Sequence, residues 1–147
     1  MSELRVPVVE FEVRLFTVDG AQCDTVIFQA PGESLEDIFE SELPFLPGRE
    51  AKTFRLYARA GLASVARRKT TPGGPDVEEN GLPWKQKSIV VQLRGGVTLK
   101  GDVFYVAEDN YGRPADFLNM KARSFALHQD EWIHQIVKRH VQFVDGI

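Results

Sequence analysis

Residues Ile89-Val90-Val91-Gln92-Leu93-Arg94-Gly95-Gly96-Val97-Thr98-Leu99-Lys100-Gly101-Asp102-Val103-Phe104-Tyr105-Val106 decide how the rest of the chain is read. Two runs of alternating apolar and polar residues flank a double glycine, which is the pattern of strand, tight turn and strand. Gly101 falls where a bulge or sharp bend is expected.

The same pattern recurs near the start. Val9, Phe11, Val13 and Leu15 alternate with Glu10, Glu12 and Arg14, so period two with one charged face predicts a half-buried strand. Asp19-Gly20 follows and predicts a type I′ turn, because both central residues of that turn need positive φ. A second strand is expected from Ala21 to Gln29, ended by Pro31-Gly32. Ser34 then caps a short helix, with Asp37 at its third position and Leu35, Ile38 and Phe39 on one face. Leu43-Pro44-Phe45-Leu46-Pro47-Gly48 reads as an apolar loop, since two prolines work against regular structure. Thr53–Arg59 and Leu62–Ala66 read as two further strands.

From Arg67 the composition changes. Arg67-Arg68-Lys69-Thr70-Thr71-Pro72-Gly73-Gly74-Pro75 has little to bury, and residues 67–86 are expected to be a linker or loop. Trp84, beside Pro83, is expected to pack. Beyond it come strands over Ser88–Leu93 and Val97–Val106, a loop at Glu108–Gly112 and a helix opening at Pro114. Short strands follow near Phe125–Leu127, Trp132–Lys138 and His140–Val144.

Laid side by side, the two halves offer matched anchors in the same order. Val13 and Leu15 fall opposite Val91 and Leu93, Asp19-Gly20 opposite Gly95-Gly96, and Asp37-Ile38-Phe39 opposite Asp116-Phe117-Leu118. Phe45 falls opposite Phe125, Tyr57 opposite Val137, Arg59 opposite Arg139, Leu62 opposite Val141 and Val65 opposite Val144. The expectation is an internal repeat of about 60 residues per unit, a size that is marginal alone. The domains expected are residues 1–66 and 87–147, with 67–86 between them.

In the second half, Val91-x-Leu93-x-x-Gly96-x-x-Leu99-x-Gly101-x-Val103, with Asp109-Asn110 further on, resembles the first motif of Sm-like proteins. Leu56–Val65 and Ile136–Val144 resemble that family's closing motif. The resemblance implies small, strongly bent five-stranded barrels, often assembled into rings that bind RNA. The chain departs from the family in placing its helices mid-unit and in following Arg59 and Arg139 with Ala60 and His140 rather than glycine. The fold class expected is therefore mainly β, with two tandem pseudo-symmetric small Sm/SH3-like barrels, each carrying one short helix.

Composition bounds the function. With 147 residues, 43% hydrophobic and 27% charged, the chain has the make-up of an ordinary globular protein. A formal charge of −3 argues against general attraction to DNA or anionic membranes. Residues 1–66 hold 11 acids and 6 bases, and that acidity works against a continuous phosphate track. The single cysteine, Cys23, cannot form an internal disulfide and sits in a strand-like run, where a buried, inert thiol is expected. Met1–Arg5 has no basic region followed by an apolar core, so a cytoplasmic protein without a signal peptide is expected.

The residues offer little chemistry. His128, His134 and His140 recur at intervals of six, without the paired short spacings of zinc sites, and are expected to be exposed or at strand edges. Asp37 and Asp116 are read as helix caps rather than as an acid–base pair. Gly95-Gly96 leads into a strand, not into a helix N-terminus that holds phosphate. No enzyme and no cofactor are expected. The leading functional expectation is an interaction, scaffold or regulatory module with a protein partner or self-association. Its surfaces would be the loop Leu43, Phe45 and Leu46 and the open sheet edges. The alternative is an Sm-like RNA binder using Arg55, Tyr57, Arg59, Lys138 and Arg139, where an aromatic lies among bases; an enzyme ranks third.

Overall fold

The computed structural model describes residues 7–69, 84–106 and 113–147. Ten strands form one open antiparallel sheet: β1 (Val9–Thr17), β2 (Gln22–Gln29), β3 (Phe45–Glu50), β4 (Thr53–Ala58), β5 (Leu62–Arg68), β6 (Trp84–Leu93), β7 (Thr98–Val106), β8 (Ser124–His128), β9 (Trp132–Val137) and β10 (Val141–Asp145). Their spatial order is β10-β6-β7-β8-β9-β5-β1-β2-β3-β4. Two short helices, α1 (Leu35–Glu40) and α2 (Pro114–Leu118), follow β2 and β7, and single 3-10 turns precede β5 and β10. The protein is mainly β, as its alternating patterns predict. Read from the closing strand outward, β5-β1-β2-β3-β4 and β10-β6-β7-β8-β9 follow the same course.

The quoted stretch is the longest hairpin. β6 and β7 pair without a register shift from Trp84↔Val106 to Gln92↔Thr98. Trp84 and Lys85 therefore belong to a strand, and β5 runs on through Arg68, so strands take up both ends of segment 67–86. Residues 70–83, and the loop expected at Glu108–Gly112, lie outside the described residues. Gly101 makes no bulge against β6. Instead, a Cβ there would stand 2.5 Å from the His128 carbonyl oxygen, so glycine is what lets β8 approach β7, at the single pair Asp102↔His128.

The turns differ from the expected two-residue type. Thr17 N–H donates to the Ala21 carbonyl and Gly20 N–H to the Thr17 carbonyl, enclosing three loop residues. Gly20 has φ +92°, whereas Asp19 is not left-handed. Leu93–Val97 repeats these bonds, with Gly96 at φ +99°. Both are three-residue loops closed by a left-handed glycine, a common hairpin solution. The two turns touch: a Cβ on Gly95 would stand 2.5 Å from the Gly20 nitrogen.

These turns also show that Phe16↔Gln22 and Gln92↔Thr98 hold the same place in their hairpins. Leu15 therefore corresponds in position to Val91, not to Leu93. A slip of two leaves every side chain on its own face, which is why alternation alone could not detect it.

α1 carries the expected cap. Asp37 N–H donates to Ser34 Oγ (3.3 Å), and Ser34 N–H donates to Asp37 Oδ2 (2.7 Å). In α2, Asp116 accepts from Arg113 N–H and from its guanidinium, which holds the Asp116 carboxyl below the usual range. From Phe45 onward the expected apolar loop is β3 instead. Pro47 pairs across to Leu56, but β3 meets β2 only at Val26↔Arg49 and Ile27↔Gly48. The proline thus stands where that ladder has ended, a place where a strand can lack a donor.

Two hydrophobic cores lie against the sheet. One gathers Val13, Leu15, Ile27, Leu35, Ile38, Phe39, Leu46 and Val65; the other gathers Ile89, Val91, Leu93, Val103, Tyr105, Phe125, Leu127 and Ile136. Each fully buried aliphatic side chain stabilises the fold by about 1.5–3 kcal/mol. The cores interlock where β5 pairs with β9. Val137 and Ile133 enter the first core, and Phe16 and Ala63 enter the second.

Candidate functional site

β4 is one outer edge of the sheet and β10 the other. Period two places Phe54 and Leu56 on the face opposite Arg55 and Tyr57, and the pairs Arg49↔Phe54, Pro47↔Leu56 and Phe45↔Ala58 continue that face onto β3. Phe54 is 62% exposed and Leu56 55%, and the Phe54 ring stacks on Phe28 at 6.3 Å. Leu43 and Phe45, expected at a surface, are exposed beside this edge; Leu46, expected with them, is buried in the first core. The reason is again alternation, because β3 turns Leu46 inward and Phe45 outward. At the far edge Phe143 of β10 is 48% exposed.

The five residues considered for RNA do not form one set. Arg59, Lys138 and Arg139 line a cleft of about 360 Å³ with Arg123, Ile38, Phe39, Ser41 and Val137. Arg55 and Tyr57 are not part of it. Arg55 pairs with Glu50 at 2.7 Å, and the Tyr57 hydroxyl lies 2.6 Å from Thr25 Oγ1. Within the cleft, Arg59 Nη1 donates to the Ile38 carbonyl (2.7 Å) and Lys138 Nζ to the Met120 carbonyl (3.0 Å). Both cations thereby satisfy carbonyls at or just beyond a short helix, the place where positive charge is favoured. Burial lowers the pKa of both; Glu40 and Glu36 oppose that at Lys138. Arg139 is exposed.

A wider groove of about 830 Å³ on the second half escaped the sequence. Gln86, Ser88, Lys100, Asp102, Phe104, His128 and Gln129 contribute to it. Ser88 Oγ donates to Asp102 Oδ1 (2.5 Å), and Gln86 Nε2 donates to Oδ2 (2.9 Å). His128 stands across from Asp102 in the register and meets the Phe104 ring edge-on at 5.0 Å. Burial, then the charge of Lys69, lowers the His128 pKa against the opposing effect of Asp102. The serine is bonded to the carboxylate and not to the imidazole, so the row lacks the nucleophile–base contact of acyl transfer. Only the cross-strand register brings these residues together, and no local spacing announces it.

The histidines are not all at the surface. His134 is 3% exposed, its Nε2 2.9 Å from Gln129 Oε1 and its ring 5.7 Å from Phe16. Burial and the nearby Arg14 lower its pKa to about 4. It is buried because β9, paired with β5 and β8 on its two sides, lies inside the sheet. Cys23 is half-buried, and burial pushes its thiol up. Among the described residues no three His, Cys, Asp or Glu side chains are grouped to hold a metal ion, and no helix is long and apolar enough to cross a membrane. The chain matches no protein-family model, and no curated protein or solved structure is found similar to it.

Proposed function

We propose that this protein is a non-enzymatic interaction module of the cytoplasm, built from two tandem, related Sm/SH3-like small barrels, whose sheet edges receive protein partners. The observation that carries this reading is the state of the two edges. β4 bears exposed Phe54 and Leu56 and β10 bears exposed Phe143, and among the described residues each of these strands has a neighbour on one side only, the arrangement that templates strand addition. The tandem reading draws support from the matching strand courses and from bonds at equivalent places. Arg59 N–H donates to the Pro44 carbonyl and Lys138 N–H to that of Arg123; Val18 N–H donates to the Gly61 carbonyl and Arg94 N–H to that of His140.

Leu56→Lys tests the reading, since charged residues on edge strands oppose pairing. The variant is expected to keep the circular dichroism of the parent and to lose the proteins that the parent retains in affinity capture. An unchanged set of retained proteins rejects the reading.

A second reading, RNA binding, is favoured by the cleft that brings Arg59, Arg123, Lys138 and Arg139 together. It requires single-stranded RNA to be retained at about 50 mM salt and released steeply as salt rises. Loss of retention in Arg139→Ala would place the contact in the cleft.

A further inference from the structure

We infer that the cleft between α1 and the two 3-10 turns captures the C-terminal end of a partner protein, with its carboxylate on Arg59 and its last, apolar side chain on the cleft floor. The inference rests on the interaction-module reading for the class of partner, and it sets a docking point apart from the sheet edges.

Arg59 carries the argument. The Ile38 carbonyl takes Nη1 at 2.7 Å. That bond leaves the other side of the guanidinium, where Nε–H and Nη2–H point the same way, without an acceptor among the described residues. Nε is buried there and bonds nothing. Such a pair of donors matches the two oxygens of one carboxylate. The chain uses the pair in this way elsewhere. Arg14 holds Asp24 through Nε (2.8 Å) and Nη2 (3.2 Å), and Arg49 holds Glu10 through the same atoms (3.3 and 3.2 Å). Arg113 holds Asp116 likewise, at 3.1 Å from each nitrogen. Arg59 differs in lining a cleft and having no carboxylate of its own. A buried donor without an acceptor is costly, so an arriving carboxylate recovers more here than at an exposed arginine. A small swing of this long side chain presents both donors to it.

The rest of the cleft fits an anion with an apolar body. Arg123, Lys138 and Arg139 add positive charge to the lining, and none of the described acids belongs to it. Glu33 acts on Arg59 by charge alone, and Glu36 and Glu40 act on Lys138 in the same way. Arg123 is already engaged, its N–H by Glu40 at 3.0 Å and its guanidinium by Glu42 at 3.7 Å. The charge left for a ligand therefore lies with Arg59, Lys138 and exposed Arg139. Beneath them Ile38, Phe39 and Val137 are buried apolar residues.

Size and floor decide what kind of anion fits. At about 360 Å³ the cleft is near the lower end of the range of ligand pockets, room for a chain end rather than a long segment. Capture of a terminal carboxylate is a recurring mode of peptide recognition. A nucleotide fits less well, because a base stacks on an exposed aromatic face and Phe39, the aromatic of this lining, is only 7% exposed.

Amide NMR titration of the full chain tests this with acetyl-Ala-Ala-Leu, free at its C-terminus, and with the same peptide as its C-terminal amide. The acid is expected to shift the signals of Ile38, Phe39 and Val137, and to bind about tenfold or more tightly than the amide. Arg59→Lys keeps the charge but loses the paired donors, and is expected to weaken the acid about tenfold. Arg139→Ala, at an exposed position that leaves thermal unfolding unchanged, is expected to weaken it about threefold. Equal binding of acid and amide, absence of shifts around the cleft, or full affinity in both variants overturns the inference. Isocaproate binding as tightly as the peptide would assign the cleft to a free small acid, and uridine monophosphate binding more tightly would assign it to nucleic acid; either result overturns it too. The edges are read separately. A peptide that fails to bind, while Leu56→Lys still loses the proteins that the parent retains, removes this inference and leaves the interaction module standing.

Discussion

The seam between β5 and β9 and the free edges β4 and β10 occupy corresponding places in the sheet, yet they are written in different residues. At the seam, Ser64, Val65 and Ala66 face Ile136, Gln135 and His134, all buried. On the edges stand Phe143, Val144 and Asp145 at one side and Arg55, Leu56 and Tyr57 at the other. The seam carries no fixed charge at these positions, as burial favours, because a buried charge without compensation is costly. The edges keep one charge each at these positions, Arg55 paired with Glu50 at 2.7 Å on β4 and Asp145 exposed on β10. One strand course thus carries uncharged, buried residues inside the sheet and charged, exposed ones at its ends.

The contrast is broken most strongly by truncating one residue on each side of it. Ile136→Ala removes a fully buried side chain from the seam and is expected to cost about 2–5 kcal/mol. Leu56→Ala, on the edge, is expected to change stability by about 0.5 kcal/mol or less. Urea unfolding of the two variants measures both; similar losses would mean that the edge is as deeply committed as the seam.

A second test uses the neutrality of the seam. His134 titrates at about 4 in the folded protein, below the ordinary 6.5 it regains on unfolding. As pH falls below about 6.5 the unfolded chain takes up this proton first, so stability declines until pH reaches about 4. Above 6.5 the contribution is fully present. The difference amounts to about 3 kcal/mol. His128 and His140 are lowered too and act in the same direction. The stability difference between the parent and His134→Gln should therefore shrink as pH is lowered from 7 to 4. A constant difference would show that His134 is free to protonate in the seam.

A smaller effect than that of His134 is expected at the turns. Gly95→Ala pushes a methyl group against the Gly20 backbone, a close contact between the two hairpins, and should cost about 1–3 kcal/mol. Thermal unfolding of this variant beside Gly61→Ala, where a Cβ would meet nothing nearer than 4.0 Å, separates a packing loss from a general effect of replacing glycine.

Local structure was legible where a residue's role depends on its near neighbours. Alternation from Val9 to Leu15 marked β1, and Ser34 with Asp37 marked the start of α1. β3 was hidden by Pro47, whose tolerance depends on how far β2 extends beside it. The turn type was missed because Asp-Gly serves both two- and three-residue loops. The burial of His134 was missed because it comes from β5, a strand distant in sequence. Of the candidate site, Leu43 and Phe45 lie at the exposed edge, while Arg59, Lys138 and Arg139 share a cleft. Alternation within the Leu43–Gly48 stretch could have separated Phe45 from Leu46 had it been read as a strand. The groove around Asp102 needs three strands in register, which no single segment encodes.

β5 also imposes an order on synthesis. It pairs with β1 on one side and, on the other, with β9, which is made much later. With chain growth at roughly 5–20 residues per second, β1–β5 leave the ribosome several seconds before Trp132–Val137 follow. Over that interval the outer rim of β5 is an open strand edge beside an incomplete core. The nascent chain is then most exposed to wrong pairing, with another nascent chain or with a β9 from a finished neighbour. Binding of a chaperone to a chain halted near residue 100, and its release once β9 has emerged, would mark that interval.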